Sequence, residues 1–135
     1  MSNYLYYDYA KSKVCKIKEQ EAQYIPSRSI HSYLNNECLK HGSNLQGRKQ
    51  SFQYLIHQNK FIPIHVSNNE IYFPIEATSN STCIYVNYFE IDHYESNKKT
   101  CTIYFKDHTC LVCQNPKRIE TIIQHIKRYL TMVQP

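Results

Sequence analysis

The spacing of hydrophobic positions changes several times along the chain, and each change predicts an element. Tyr4 to Ala10 and Lys13 to Lys18 read as two short strands suited to a hairpin. Polar Glu19 to Tyr24 reads as a turn or a single helical turn before Pro26 breaks it. From Ser27 the period becomes helical, because Ile30, Tyr33, Leu34 and Cys38 fall at i, i+3, i+4 and i+8. Ser27 or Ser29 can cap this helix, and Lys40, His41 and Gly42 supply stop signals. From Gln50 alternation returns, with Phe52, Tyr54 and Ile56 separated by polar residues, which predicts a strand. Phe61 to Val66 continues as a strand, with Pro63 marking an edge or a bulge. After the turn Ser67 to Glu70 come Ile71 to Ile75, stopped around Pro74, and Cys83 to Ile91, the longest β-prone run. Glu76 to Thr82 and Asp92 to Lys99 read as polar connections. Thr100 to Lys106 and Thr109 to Gln114 flank a tight turn at Asp107-His108.

The last segment is the clearest helix. Asn115 suits the N-cap and Pro116 the first helical position. Ile119, Ile122, Ile123, Ile126, Tyr129, Leu130 and Val133 make one apolar stripe, opposite a charged face that reads as solvated. The sum is an α+β fold in a single domain over residues 1–135. It has a mostly antiparallel sheet, one inner helix and a C-terminal amphipathic helix.

Composition narrows the class. Apolar residues at 41% and charged residues at 20% argue against a disordered chain, and no run reaches the roughly 18 apolar residues of a membrane span. The first residues carry no basic leader with an apolar core. The six cysteines therefore read as reduced thiols of a cytoplasmic protein. Thirteen tyrosines without a tryptophan suit half-buried strands and base stacking alike.

Charge adds a location. Both glycines, Gly42 and Gly47, lie in the segment Lys40 to Lys49, and no acid stands between Cys38 and Asn69. Lys40, Arg48, Lys49 and Lys60 thus give that window +4 of the formal +5. A glycine-shaped loop with Ser43 and Asn44 as extra donors and two following cations suggests anion binding, most simply to phosphate. The competing reading is a solvated turn. The spacing fits neither a Walker loop nor a dinucleotide fingerprint.

The residues from Cys38 onward resemble the ComK competence transcription factor family of low-GC Gram-positive bacteria. Four pieces carry the resemblance: Cys38 leading to Gly42-Ser43 and Gly47-Arg48-Lys49; Lys60 with Pro63-Ile64 and Val66; Tyr72-Phe73-Pro74 followed by Thr78-Ser79; and Cys83 to Asn87. Tyr85 stands where the family pattern favours tryptophan, and the relatives extend further at the C-terminus. The resemblance implies a DNA-binding transcription activator that recognises paired A/T-rich boxes through the minor groove and bends DNA. It also implies a homo-oligomer on DNA and a regulatory or proteolytic adaptor as a further partner, with no catalytic role and no cofactor. On charge, the positions expected to face DNA are Lys40, Gly42, Ser43, Asn44, Gly47, Arg48, Lys49 and Lys60.

Two rival chemistries are weighed against this. A single-stranded DNA or RNA module would stack bases on tyrosines such as Tyr54 or Tyr72. Cys110-Leu111-Val112-Cys113 has the spacing of a zinc knuckle. In an apolar strand without glycine, however, its two thiolates face opposite sides, so a metal site is not expected.

Overall fold

The computed structural model describes residues 1–76 and 83–133. Nine strands form two antiparallel sheets among these residues. The chain opens with β1 (Tyr4–Asp8), β2 (Lys13–Lys18) and β3 (Glu21–Pro26), followed by α1 (Ile30–Leu39) and α2 (Leu45–Ile56). Then come β4 (Ile64–Ser67), β5 (Glu70–Pro74) and β6 (Tyr85–Asn87). These six strands lie in the order β3-β2-β1-β6-β5-β4. The second sheet holds β7 (Ile91–Ser96), β8 (Thr100–Phe105) and β9 (Cys110–Gln114), and α3 (Pro116–Val133) ends the chain. Thr78 and Ser79, and most of the connection expected over Glu76 to Thr82, lie outside the described residues.

Two clusters of buried side chains fix this arrangement. One joins Leu5 and Val14 of the large sheet to Ile30, Tyr33 and Leu34 of α1. The other draws Phe52 of α2, Phe73 and Val86 of the large sheet, and Ile103 and Phe105 of the small sheet onto Ile119, Ile122 and Ile126 of α3. The stripe expected on α3 is therefore what bridges the two sheets, and burying aliphatic side chains of this size contributes about 1.5–3 kcal/mol each.

The α+β reading holds, with differences in detail. There are two inner helices where one is expected. The alternation Phe52-Tyr54-Ile56 belongs to α2: Phe52 and Ile56, one helical turn apart, are buried, while Tyr54 is 80% exposed. Segment Glu21–Pro26 is a strand, paired with β2 from Lys18↔Glu21 to Lys13↔Pro26. Its two-residue turn, Glu19-Gln20, has φ of 53° and 66°, the left-handed pair that matches the twist of a hairpin.

Ile91–Ser96 is also a strand, where a connection is expected, and its backbone pairs with β8 although most of its side chains are exposed. The run Cys83 to Ile91 yields only a three-residue strand, because the Asn87 side chain accepts from Phe89 N at 3.2 Å and caps the 3-10 turn Tyr88–Glu90. The strand expected over Phe61 to Val66 begins at Ile64, after Pro63, and its register with β5 shifts between His65 and Ser67. Asn115 precedes α3 in the left-handed region (φ 57°), and its carbonyl accepts from Arg118 N.

Candidate nucleic-acid interface

The α1–α2 connection is built from its caps. Ser29 Oγ accepts from Ser32 N at 3.0 Å and starts α1. At the far end His41 N donates to Cys38 O at 2.9 Å, and Gly42 follows with φ 91°, so its glycine satisfies a left-handed bend. Asn44 Oδ1 then accepts from Gly47 N at 2.7 Å and starts α2.

Gly47 does not shape a loop, as the sequence suggested: it lies inside α2 and outside the left-handed region. Its reason is proximity. A Cβ there would come 2.9 Å from Ser43 Oγ and 3.1 Å from the capping Asn44 Oδ1.

The expected cations do not act alike. Lys40 is not unneutralised, because its Nζ lies 2.7 Å from Glu37 Oε2, one residue outside the acid-free window. Arg48 is tied back to the fold by one bond, its Nη2 donating to His41 O at 2.8 Å, while its Nε is buried without a partner. Its guanidinium also adds to burial in lowering the pKa of His65, which bonds Tyr129 Oη through Nδ1 at 2.8 Å. Arg48→Ala is therefore expected to lose about 1 kcal/mol of stability, whereas Lys49→Ala stays within about 0.5 kcal/mol. Urea unfolding of the two variants checks this difference.

Lys49 and Lys60 meet elsewhere. They line a cavity of about 500 Å³ together with His31 of α1, Asn59, Tyr85 and Arg118 of α3. No carboxylate is among its lining residues. His31 Nε2 lies 3.2 Å from Tyr85 Oη, and burial, then Lys49, lowers its pKa. Arg118 stacks over Phe61, with its guanidinium carbon 4.0 Å from the ring centroid.

Arg118 and His31 were missed by sequence reasoning, which assigned the first to a solvated face and overlooked the second. One signal was present: Lys117-Arg118 puts two cations in the first turn of a helix, which has no acid there and where acids are favoured.

The rival chemistries also acquire positions. Tyr54 is exposed, but Tyr72 is buried and bonded to Glu70 Oε2 at 2.9 Å, so it cannot stack on a base. Cys110 is exposed and Cys113 buried, on opposite faces of β9. Burial, helped by Cys101 and Glu76, pushes the Cys113 thiol up to about 12. The described residues contain no group of three or more histidines, cysteines and carboxylates arranged to hold a metal ion.

Residues 4–132 match the protein-family model described as ComK protein. No curated protein and no solved structure matches the chain.

Proposed function

The chain belongs to the ComK family, a family of competence transcription factors, and from that premise we propose that it binds A/T-rich boxes in double-stranded DNA through the minor groove. The observation that carries this reading is the convergence of Lys49, Lys60 and Arg118 on one cavity with no carboxylate in its lining. An uncompensated cluster of this kind attracts the phosphate backbone, and a narrow A-tract groove strengthens the attraction through its enhanced negative potential. Minor-groove readout separates A·T from G·C and little more, so few base-reading side chains suffice.

In this reading Lys49 and Lys60 supply the main attraction. Gly42, Ser43, Asn44 and Gly47 set the α1–α2 corner beside it, and Lys40 and Arg48 add field while remaining tied to Glu37 and His41. A net charge of +5 is modest for a tight binder, which favours two or more protomers on paired boxes. No helix among the described residues is long and apolar enough to cross a membrane.

Fluorescence anisotropy tests the proposal with a labelled duplex carrying two A/T-rich boxes, a G·C-rich duplex and a single strand, each over a salt series. Preference for the A/T duplex is expected. Lys49→Ala should weaken binding about tenfold at 0.1 M salt, the size of one lost phosphate contact. Tighter binding to the single strand would replace this reading with a stacking module.

A further inference from the structure

Asn59, Lys60, Phe61 and Arg118 line two neighbouring cavities. The first, of about 500 Å³, is the one that holds Lys49. The second, of about 510 Å³, lies along α3 and adds Lys117 and His125. Neither has an aspartate or a glutamate among its lining residues. Glu120, the acid nearest in sequence, lines neither cavity.

The rib between the cavities is the Arg118–Phe61 stack, and it is held in place. Gln58 Nε2 donates to Lys60 O at 2.7 Å and to Phe61 O at 2.8 Å, while its Oε1 meets His125 Nδ1 at 2.7 Å. Arg128 Nη2 donates to Ile56 O at 3.1 Å, so the end of α2 is also fixed to α3. Phe61 itself has φ 54°, a conformation that a bulky residue keeps only where its surroundings enforce it. Lys60 and Lys117 are exposed, and neither enters an ion pair among the described residues.

Two cationic basins on either side of a rigid rib fit a chain of linked anions better than a single one. We infer that a strand of duplex DNA crosses the Arg118–Phe61 rib, with one phosphate directed to Lys49 and Lys60 and a neighbouring phosphate directed to Lys117. The inference rests on the DNA-binding reading above and adds to it a backbone-contact surface made by the α2–β4 connection and the first turn of α3. Contacts of this type set register and orientation and carry no sequence information.

The test is anisotropy on the A/T-box duplex with Lys60→Gln/Lys117→Gln, whose side chains are exposed, so that folding is retained and checked by circular dichroism. Lys98→Gln/Lys99→Gln, on the β7–β8 turn, removes the same net charge elsewhere and serves as control. The first variant is expected to bind about sixtyfold more weakly at 0.1 M salt, with the log–log salt slope reduced by about 2. Its preference for A·T over G·C should be unchanged, and the control should keep wild-type affinity and slope. Arg118→Lys keeps the charge but loses the planar stack, and is expected to fall between wild type and the double variant.

Wild-type affinity in Lys60→Gln/Lys117→Gln, beside a wild-type protein that binds the duplex, overturns the backbone track and the role given to Lys60, and leaves DNA binding itself standing. Equal losses in the variant and the control overturn it too, since that result needs only net charge. A wild-type protein that binds no duplex removes both.

Discussion

Asn87→Ala is expected to lower the free energy of unfolding by about 4 kcal/mol, read as a lower urea midpoint at unchanged slope. Asn87 is fully buried at the end of β6. Its Oδ1 accepts from Ile71 N at 3.3 Å and from Phe89 N at 3.2 Å. Its Nδ2 donates to Ser2 O at 3.2 Å and to Asn69 O at 3.5 Å. One side chain thus satisfies four backbone groups from three separate stretches.

Truncation strands the Ile71 N–H and the Ser2 carbonyl, whose bonds to Asn87 are buried, away from water. The cost is then set by their desolvation, about 1–3 kcal/mol each where no water reaches them, rather than by the smaller net worth of a made bond. The small cavity left behind adds to it. Asn87→Asp offers a sharper check. It keeps the acceptors but turns a carboxylate toward two carbonyl oxygens, so burial raises its pKa in the folded state. That variant should be least stable at neutral pH and recover as the pH falls and the carboxyl is protonated.

The second large effect is expected at Asp107, where replacement by alanine should lower stability by about 3 kcal/mol. This carboxylate sits in the β8–β9 turn but holds parts of the other sheet. It accepts from Asn3 Nδ2 at 2.7 Å and from Glu19 N at 2.8 Å. Within its own turn it accepts from Thr109 N at 3.0 Å and Thr109 Oγ1 at 2.6 Å.

Burial alone would raise its pKa. The hydrogen bonds from Thr109, Asn3 and Glu19 outweigh burial and hold the carboxyl well below the usual carboxylate range. Bonds to a charged group are worth about 1.5–3 kcal/mol each when shielded, and partial exposure reduces the sum here to the stated figure. Because the folded pKa is depressed, the contribution is complete above the unfolded value near 3.9 and is lost as pH falls toward the folded one. Wild-type and Asp107→Ala unfolding curves, well separated at pH 7, should therefore converge below about pH 4.

The elements that sequence reasoning found share a cause. α1, α3, the β1–β2 hairpin and the β8–β9 hairpin each bury one face against a core, so their period is written in their apolar residues. β3 and β7 escaped because hydrogen bonds to β2 and β8 define them, while Glu21, Gln23, Asp92 and Glu95 remain polar. α2 was misread because Tyr54 completes an alternation in which only Phe52 and Ile56 face inward.

At the candidate interface, the left-handed bend at Gly42 was legible because glycine is the residue that adopts it without strain. The reason for Gly47 was not, since it depends on how near the Asn44 cap comes. Nor could spacing show that Arg118, far along the chain, would stand beside Lys49 and Lys60, or that Glu37 would reach Lys40.

The position of β1 also governs when this sheet can be completed during synthesis. β1 lies between β2 and β6, with Tyr4 opposite both Ile17 and Val86. Its first neighbour emerges from the ribosome almost at once, whereas its second follows only after both inner helices and β4–β5. At about 5–20 residues per second that interval lasts roughly 4–16 s. For its duration the nascent β1–β3 meander presents the β1 edge in addition to the β3 edge that the finished sheet keeps, together with the apolar face of Leu5 and Val14, the combination that recruits foreign strands. A ribosome stalled before β6 would leave β1 without the partner that closes its edge in the finished sheet.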